Sequence, residues 1–268
     1  MKDRFNMKNT KSLALAILIF PVIVAAGKPL ISTVYEWSRM KMVRTHTGAV
    51  TNILKEQTKS LESLEIKAVT LYSGKDTHSY PEAKGTDEMF VLSEGTAGMT
   101  INSVTRELGP GSVAVASQGD RVMIKNSEHE SLVFYSFVFK PRFAAPSRQA
   151  AKKIRPFFSS WDTIAYNSSE NGGTRNILNL PTATLKHLDV SETTLNEGCR
   201  DSIDLFSGEE LILVKKGSVG ALVNEKKSVC GQGSVIYFTS GENSAIFNAG
   251  AGECEYFTIR WKTPVKSK

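Results

Sequence analysis

The chain has 268 residues, 41% hydrophobic and 22% charged, the ordinary balance of a globular protein with enough apolar material for a core. Net charge is +6, but Lys2, Arg4, Lys8 and Lys11 less Asp3 supply +3 of it before the first apolar run. The remainder has no Lys/Arg stripe of the kind that neutralises a phosphate backbone, and nucleic acid is excluded as an expected partner.

Taken from the N-terminus, residues 13–27 form an apolar run behind the basic stretch, ending in small residues at Val24, Ala25, Ala26 and Gly27. The run falls short of the roughly 20 residues that cross a bilayer, and fits a secretory core with cleavage near Ala26. Residues 1–27 are read as a signal peptide, with a retained N-terminal anchor as the alternative. The mature chain is then exported, periplasmic or extracellular, with no stable membrane span. No Cys stands at the expected cut, so a lipid anchor is not indicated.

An arm carrying Trp37 precedes a strand-like run at 64–69. Strands follow at 89–92, 100–104 (with Asn102 marking a hairpin tip), 112–115, 123–124 and 132–139, with Gly109 and Gly111 in a turn. Pro146 stands at the start of an Ala/Lys/Arg/Gln-rich stretch that predicts a short, solvated connector helix over 147–154. A second arm carries Trp161, and strands recur at 188–193, 211–214, 221–223, 233–238, 245–247 and 255–261. Short strands punctuated by Gly, Pro and Asn argue an all-β sandwich or barrel, for which the jelly roll is one solution. Three cysteines, Cys199, Cys230 and Cys254, lie in this second half. An odd set without CxxC spacing is neither a disulfide framework nor a zinc site. One bridge is open to them in an oxidising compartment, and small buried side chains are the role expected of most.

The two halves are copies. Glu88, Gly95, Asn102, Gly109, Gly111, Gly119 and Asn126 return as Glu210, Gly217, Asn224, Gly231, Gly233, Gly241 and Asn248, each 122 positions on. Upstream, Trp37, Asn52, Leu61, Leu64 and Gly74 return as Trp161, Asn176, Leu185, Leu188 and Gly198 at an offset of 124. Such self-similarity sets the domain count at two and defines equivalent positions.

Glu88 to Gly95 and Glu210 to Gly217, then Gly111 to Asn126 and Gly233 to Asn248, resemble the two motifs of the cupin superfamily of small jelly-roll barrels, with Ser117 and Thr239 where the family often has Pro. The resemblance implies an all-β chain of two tandem cupin jelly-roll barrels with a short connecting helix: a first domain over 33–140, a linker over 141–159 and a second domain over 160–262. Residues 175–183 and 192–198 are similar to exported bicupins related to ureidoglycine aminohydrolase. Catalytic cupins hold a divalent metal with a His-x-His pair, the first-motif Glu and a second-motif His. Those positions here are Asp204, Phe206 and Ser244 in the second copy, and Glu82, Lys84 and Val122 in the first. Two extra residues between Gly74 and Glu88 leave His78 or Tyr80 as alternatives there. Neither copy recovers three imidazoles, and one carboxylate is a poor transition-metal site.

Retained glycines with replaced ligands favour a binding or structural bicupin that has lost its metal, because the glycines serve turns while the imidazoles serve chemistry. The alternative is a metal-dependent hydrolase similar to ureidoglycine aminohydrolase, with manganese or another divalent ion as cofactor. Under the first reading no cofactor is expected. Glu210, Asp204, Ser244 and Asn248 are expected to line the second barrel with Tyr237 and Phe206 as apolar walls. Glu88, His78, Tyr80 and Val122 are expected in the first. Asp204, Glu209 and Glu210 form an acidic cluster that suits a hard cation or a solvated loop; Asp204 and Glu210 are the only metal candidates carried forward. A small molecule is the expected ligand, and the chain is expected to be a monomer with internal pseudo-twofold symmetry or a homodimer.

Overall fold

The computed structural model describes residues 28–143, 156–202, 208–223, 226–242 and 245–265. In the first copy the strands are β1 (Thr33–Tyr35), β2 (Met42–Arg44), β3 (Gly48–Glu56), β4 (Leu61–Leu71), β5 (Tyr80–Pro81), β6 (Asp87–Glu94), β7 (Ala97–Ile101), β8 (Val104–Leu108), β9 (Val113–Ser117), β10 (Arg121–Asn126) and β11 (Leu132–Pro141). The second copy repeats them as β12 (Phe157–Ser159), β13 (Asn167–Ser169), β14 (Gly172–Leu180), β15 (His187–Leu195), β16 (Arg200–Ser202), β17 (Glu209–Lys216), β18 (Ser218–Val223), β19 (Lys226–Gly231), β20 (Val235–Phe238), β21 (Ala245–Asn248) and β22 (Cys254–Lys262). Helical structure among the described residues is limited to single 3₁₀ turns, Trp37–Arg39 and Trp161–Thr163. Residues 1–27, expected to be a signal peptide, and 147–154, expected to form a connector helix, lie outside the described residues. No helix among the described residues is long and apolar enough to cross a membrane.

Each copy packs a large sheet against a small one, and among the described residues the four sheets stay separate rather than closing by hydrogen bonds. The order β12-β9-β6-β11-β4-β3-β2 faces β5-β10-β7-β8, and β1-β20-β17-β22-β15-β14-β13 faces β16-β21-β18-β19. Asn102 turns the β7–β8 hairpin at φ 56°, as its placement in the sequence predicts. Large sheets buried on both faces need apolar residues at every position, and β6 and β17 are buried along most of their lengths. Alternation then divides each strand. Phe90 and Leu92 fill the first jelly roll and Ile212 and Val214 the second, while Met89, Val91, Leu211 and Leu213 enter a third core between the large sheets.

The arms cross over. β1 precedes the first copy but pairs with β20 of the second, and β12 precedes the second copy but pairs with β9 of the first. The same contacts fix both. Trp37 N donates to Ser234 Oγ and Trp161 N to Ser112 Oγ, each at 3.0 Å. Gly111 and Gly233 sit at φ +87° and +84°, where a Cβ would come within 2.5 Å of the Trp161 ring and 2.9 Å of the Trp37 ring. The repeated second-motif glycine therefore makes room for the opposite copy's tryptophan.

A second reciprocal tie uses the acid before each motif glutamate. Glu209 Oε1 accepts from Lys59 N at 2.8 Å and Glu209 Oε2 from Ser60 N at 3.1 Å. Asp87, its counterpart, accepts from Thr184 N at 3.0 Å and from the Thr182 and Thr184 hydroxyls. This removes Glu209 from the acidic cluster expected in the second barrel. Its side chain leaves the strand on the opposite face to Glu210 and ties the copies together.

Candidate functional site

Glu88 leaves β6 on the face shared with Phe90 and Leu92, which carries it inside the first jelly roll, where it is 7% exposed. Its Oε1 accepts from Ser136 Oγ on β11, and its Oε2 from Tyr80 Oη at 3.3 Å. Tyr80 is brought there by β5, which pairs Tyr80 with Val122 of β10. Glu82 follows two residues on, anchored by its N–H to Asp120 O at 2.7 Å. Burial, then the charge of Glu88 and a hydrogen bond to it, push the Glu82 carboxyl up to about 9. Two adjacent buried carboxyls do not both ionise, so the pair of Glu82 and Glu88 retains a proton at neutral pH. Burial and both acids also raise the Tyr80 phenol, keeping it a neutral donor. These groups open onto a cavity of about 610 Å³, whose wall also includes Asn52, Lys67 and Val138.

In the second jelly roll the equivalent space is used differently. Arg260 on β22 takes the place of Val138 and its Nε bonds Glu210 Oε2. Burial raises the Glu210 carboxyl although Arg260 opposes the shift. Asp201 accepts from Tyr256 Oη at 2.9 Å. The motif glutamate of the second copy is matched by the chain's own guanidinium.

Of the residues expected at these sites, Glu88 and Tyr80 meet in the first jelly roll and Glu210 is inside the second. Asp204, Phe206 and Ser244 lie outside the described residues. Val122 is fully buried in the first core and is not on the cavity wall. His78 stands on an exposed loop at φ 55°, its Nδ1 3.2 Å from Asp76 Oδ1, away from the cavity. Two further expectations require correction. Tyr237 is not a wall of the second barrel: it points into the core between the copies and donates to Glu209 Oε1 at 2.5 Å. Phe238, which pairs with Glu210, is the inward residue, a shift of one position that reverses the face. Asn248 is not a pocket residue either. Its Nδ2 donates to Leu195 O and Gly252 O, at 3.0 and 2.7 Å, as Asn126 does to Leu71 O and Glu130 O. The repeated Asn closes a turn.

Ser136 and Arg260 belong to neither motif; Ser136 interrupts the apolar run of β11, the signal that marks an inward polar group, whereas β22 carries Glu255, Thr258 and Lys262 besides Arg260 and does not single it out. Cys230 and Cys254 are buried in the second core and Cys199 is half-buried, all three as free thiols. Burial pushes Cys230 and Cys254 up to about 11. Among the described residues no three or more His, Cys, Asp or Glu side chains are grouped to hold a metal. The first site offers oxygen donors only, with Val122 at the second-motif position; this set lacks the imidazoles that select zinc, copper, iron or nickel, and suits no more than a hard oxygen-seeking ion.

No protein-family profile and no curated protein matches the chain. Solved structures do. A protein described as glyoxylate-induced from Pseudomonas aeruginosa superposes with a TM-score of 0.72 at 13% identity, over 93% of this chain and 95% of its own. The oxalate decarboxylase of Lactobacillus farciminis gives 0.68 at 13%, covering 90% and 89%. A Bacillus subtilis oxalate decarboxylase gives 0.68 at 12%, covering 90% and 80%. The chain has the tandem cupin, or bicupin, fold.

Proposed function

We propose that the chain is an exported bicupin that works without the metal usual to catalytic cupins and binds a small polar molecule in the first barrel, where Glu82, Glu88, Tyr80 and Ser136 converge. The observation supporting this is that the motif glutamate of each copy is already matched from within. Glu88 takes the hydroxyls of Tyr80 and Ser136, and Glu210 takes the Arg260 guanidinium. A carboxylate so engaged has to give up its partners before it ligates a divalent ion. In the first barrel the neutral acid, the phenol and the hydroxyl present donors and acceptors suited to hydroxyl or carbonyl groups of a ligand. The second barrel, with Glu210 and Arg260 paired, takes a structural role. Neither a nucleic-acid partner nor a stable membrane span after cleavage belongs to this reading.

The second reading is a metal-dependent small-molecule cupin enzyme, a hydrolase similar to ureidoglycine aminohydrolase. It is favoured by the fold shared with oxalate decarboxylases, one of whose Bacillus subtilis structures concerns Mn(II) centres. Elemental analysis of the full chain after loading with manganese, zinc, nickel and calcium separates the two. The expected result is no stoichiometric metal. A near-equimolar ion that Glu88→Ala or Glu210→Ala abolishes overturns the metal-free reading and restores the enzyme.

A further inference from the structure

The two copies set the same tryptophan on the same patch of the large sheet and surround it in opposite ways. In the second copy Trp161 carries two cations of its own chain: the Arg175 guanidinium lies 4.3 Å from the ring centroid and Lys215 Nζ 3.9 Å. Arg175 also bonds Glu192 Oε2 at 3.2 Å, and Lys215 Nζ is 2.6 Å from Glu255 Oε2. The strands fix this arrangement in a row, Arg175 opposite Glu192 and Glu192 opposite Phe257.

The matching row in the first copy is Thr51 opposite Ala68 and Ala68 opposite Tyr135. Ser93 stands where the second copy has Lys215, and Val133 where it has Glu255. Each of the four charged side chains is replaced by a shorter, uncharged one. The aromatic pair is kept: Trp37 meets Tyr135 edge-on at 6.4 Å, as Trp161 meets Phe257 at 6.5 Å. The space that two cations and their acids fill in the second copy is here a cavity of about 380 Å³. Among the described residues its wall includes Trp37, Met42, Thr51 and Tyr135, no Lys or Arg, and a single carboxylate, Glu94.

We propose that this cavity binds a small organic cation, an alkylammonium or guanidinium group, seated on Trp37 with Glu94 as its counter-charge. An indole attracts a cation through the negative face of its π-system, more strongly where water is displaced. The second copy shows that this backbone and this tryptophan accept ammonium and guanidinium groups at contact distance. An apolar guest would strip water from Glu94 without giving it a partner, and an anion would meet both Glu94 and the ring face. The site is separate from the barrel ligand proposed above, because Trp37 packs on the core between the copies whereas Glu88 points into the first jelly roll.

Choline and methylguanidinium, titrated into the full chain and followed by calorimetry and by the Trp37 indole NMR signal, test the assignment. Saturable binding is expected, with choline at least about tenfold tighter than its neutral tert-butyl isostere. Ser93→Lys with Val133→Glu transplants the second copy's ion pair into the cavity and is expected to abolish binding while leaving the melting temperature in place. Glu94 is exposed, so Glu94→Gln folds normally and is expected to weaken choline by about tenfold. Equal affinity for the neutral isostere, absence of saturable binding by either cation, or choline affinity unchanged in Glu94→Gln overturns the proposal.

Discussion

Glu82 differs from an ordinary surface glutamate in one respect that reaches the whole stability curve. Its folded carboxyl is pushed up to about 9 by burial first and then by Glu88, whereas an unfolded-chain glutamate titrates near 4.3. Between those values the folded state keeps a proton that the unfolded state has released. Stability tied to that proton is fully present at low pH and falls as pH rises, at up to about 1.4 kcal/mol per pH unit, until the folded carboxyl itself ionises. Glu82→Gln keeps a donor toward Glu88 and has nothing to ionise. Urea unfolding from about pH 5 to about pH 8 is expected to show the variant gaining on the wild type as pH rises. Parallel profiles would sink the shared-proton account. At this scale the sequence is only half legible. Glu88 and Glu210 stand out because they recur in both motifs. Asn248 recurs for a turn and not for a ligand, and recurrence does not separate the two. Tyr237 and Phe238 are both large and apolar-faced, so which one points inward depends on register, a property of the paired strands rather than of either residue. The partners of the motif acids, Ser136 and Arg260, lie on the strands paired beside them, β11 and β22, but Arg260 stands where the first copy has Val138, so no repeat points to it.

At the scale of elements, the arms and the second-motif turns are made for each other. Gly111 combines a left-handed φ of +87° with a Trp161 ring 2.5 Å from where a Cβ would stand, and Gly233 repeats this against Trp37 at 2.9 Å. A methyl group at either position meets both penalties. Backbone strain alone costs about 1–3 kcal/mol, and the displaced ring adds the loss of the Trp161–Phe257 or Trp37–Tyr135 contact. Gly111→Ala and Gly233→Ala are each expected to cost at least about 2 kcal/mol in urea unfolding. Hydrogen exchange should also quicken at β12 for Gly111→Ala and at β1 for Gly233→Ala. Gly109, with no atom near its added Cβ and no left-handed φ, serves as the control, and Gly109→Ala is expected to be near neutral. If Gly111→Ala is as mild as Gly109→Ala, the turn is not what seats the arm. The repeat marks both the glycine and the tryptophan in the sequence. Their meeting across copies is not readable there, because strands of three residues carry no alternation and the partner strand belongs to the other copy, 200–204 residues away for β1 and 42–46 for β12.

At the scale of the molecule, the crossed arms and the paired ties of Asp87 and Glu209 make each copy depend on the other for its own sheet edge. The core between the large sheets is larger than the core inside either jelly roll, and both copies supply it, with Phe139 of the first meeting Trp261 of the second at 5.5 Å between ring centroids. A copy alone would expose this face and lose the strand that covers β9 or β20, leaving an apolar patch and an unpaired edge. A protease site inserted between Phe143 and Pro156 cuts the connection without touching a described strand. The cut chain is expected to elute from size exclusion at the position of the uncut chain and to unfold in one transition. Residues 28–143 expressed alone are expected to aggregate or to recover solubility only with residues 156–268 present. Two fragments that separate after cleavage and remain folded monomers would show instead that each jelly roll is self-sufficient, and that the crossed strands decorate the copies rather than complete them.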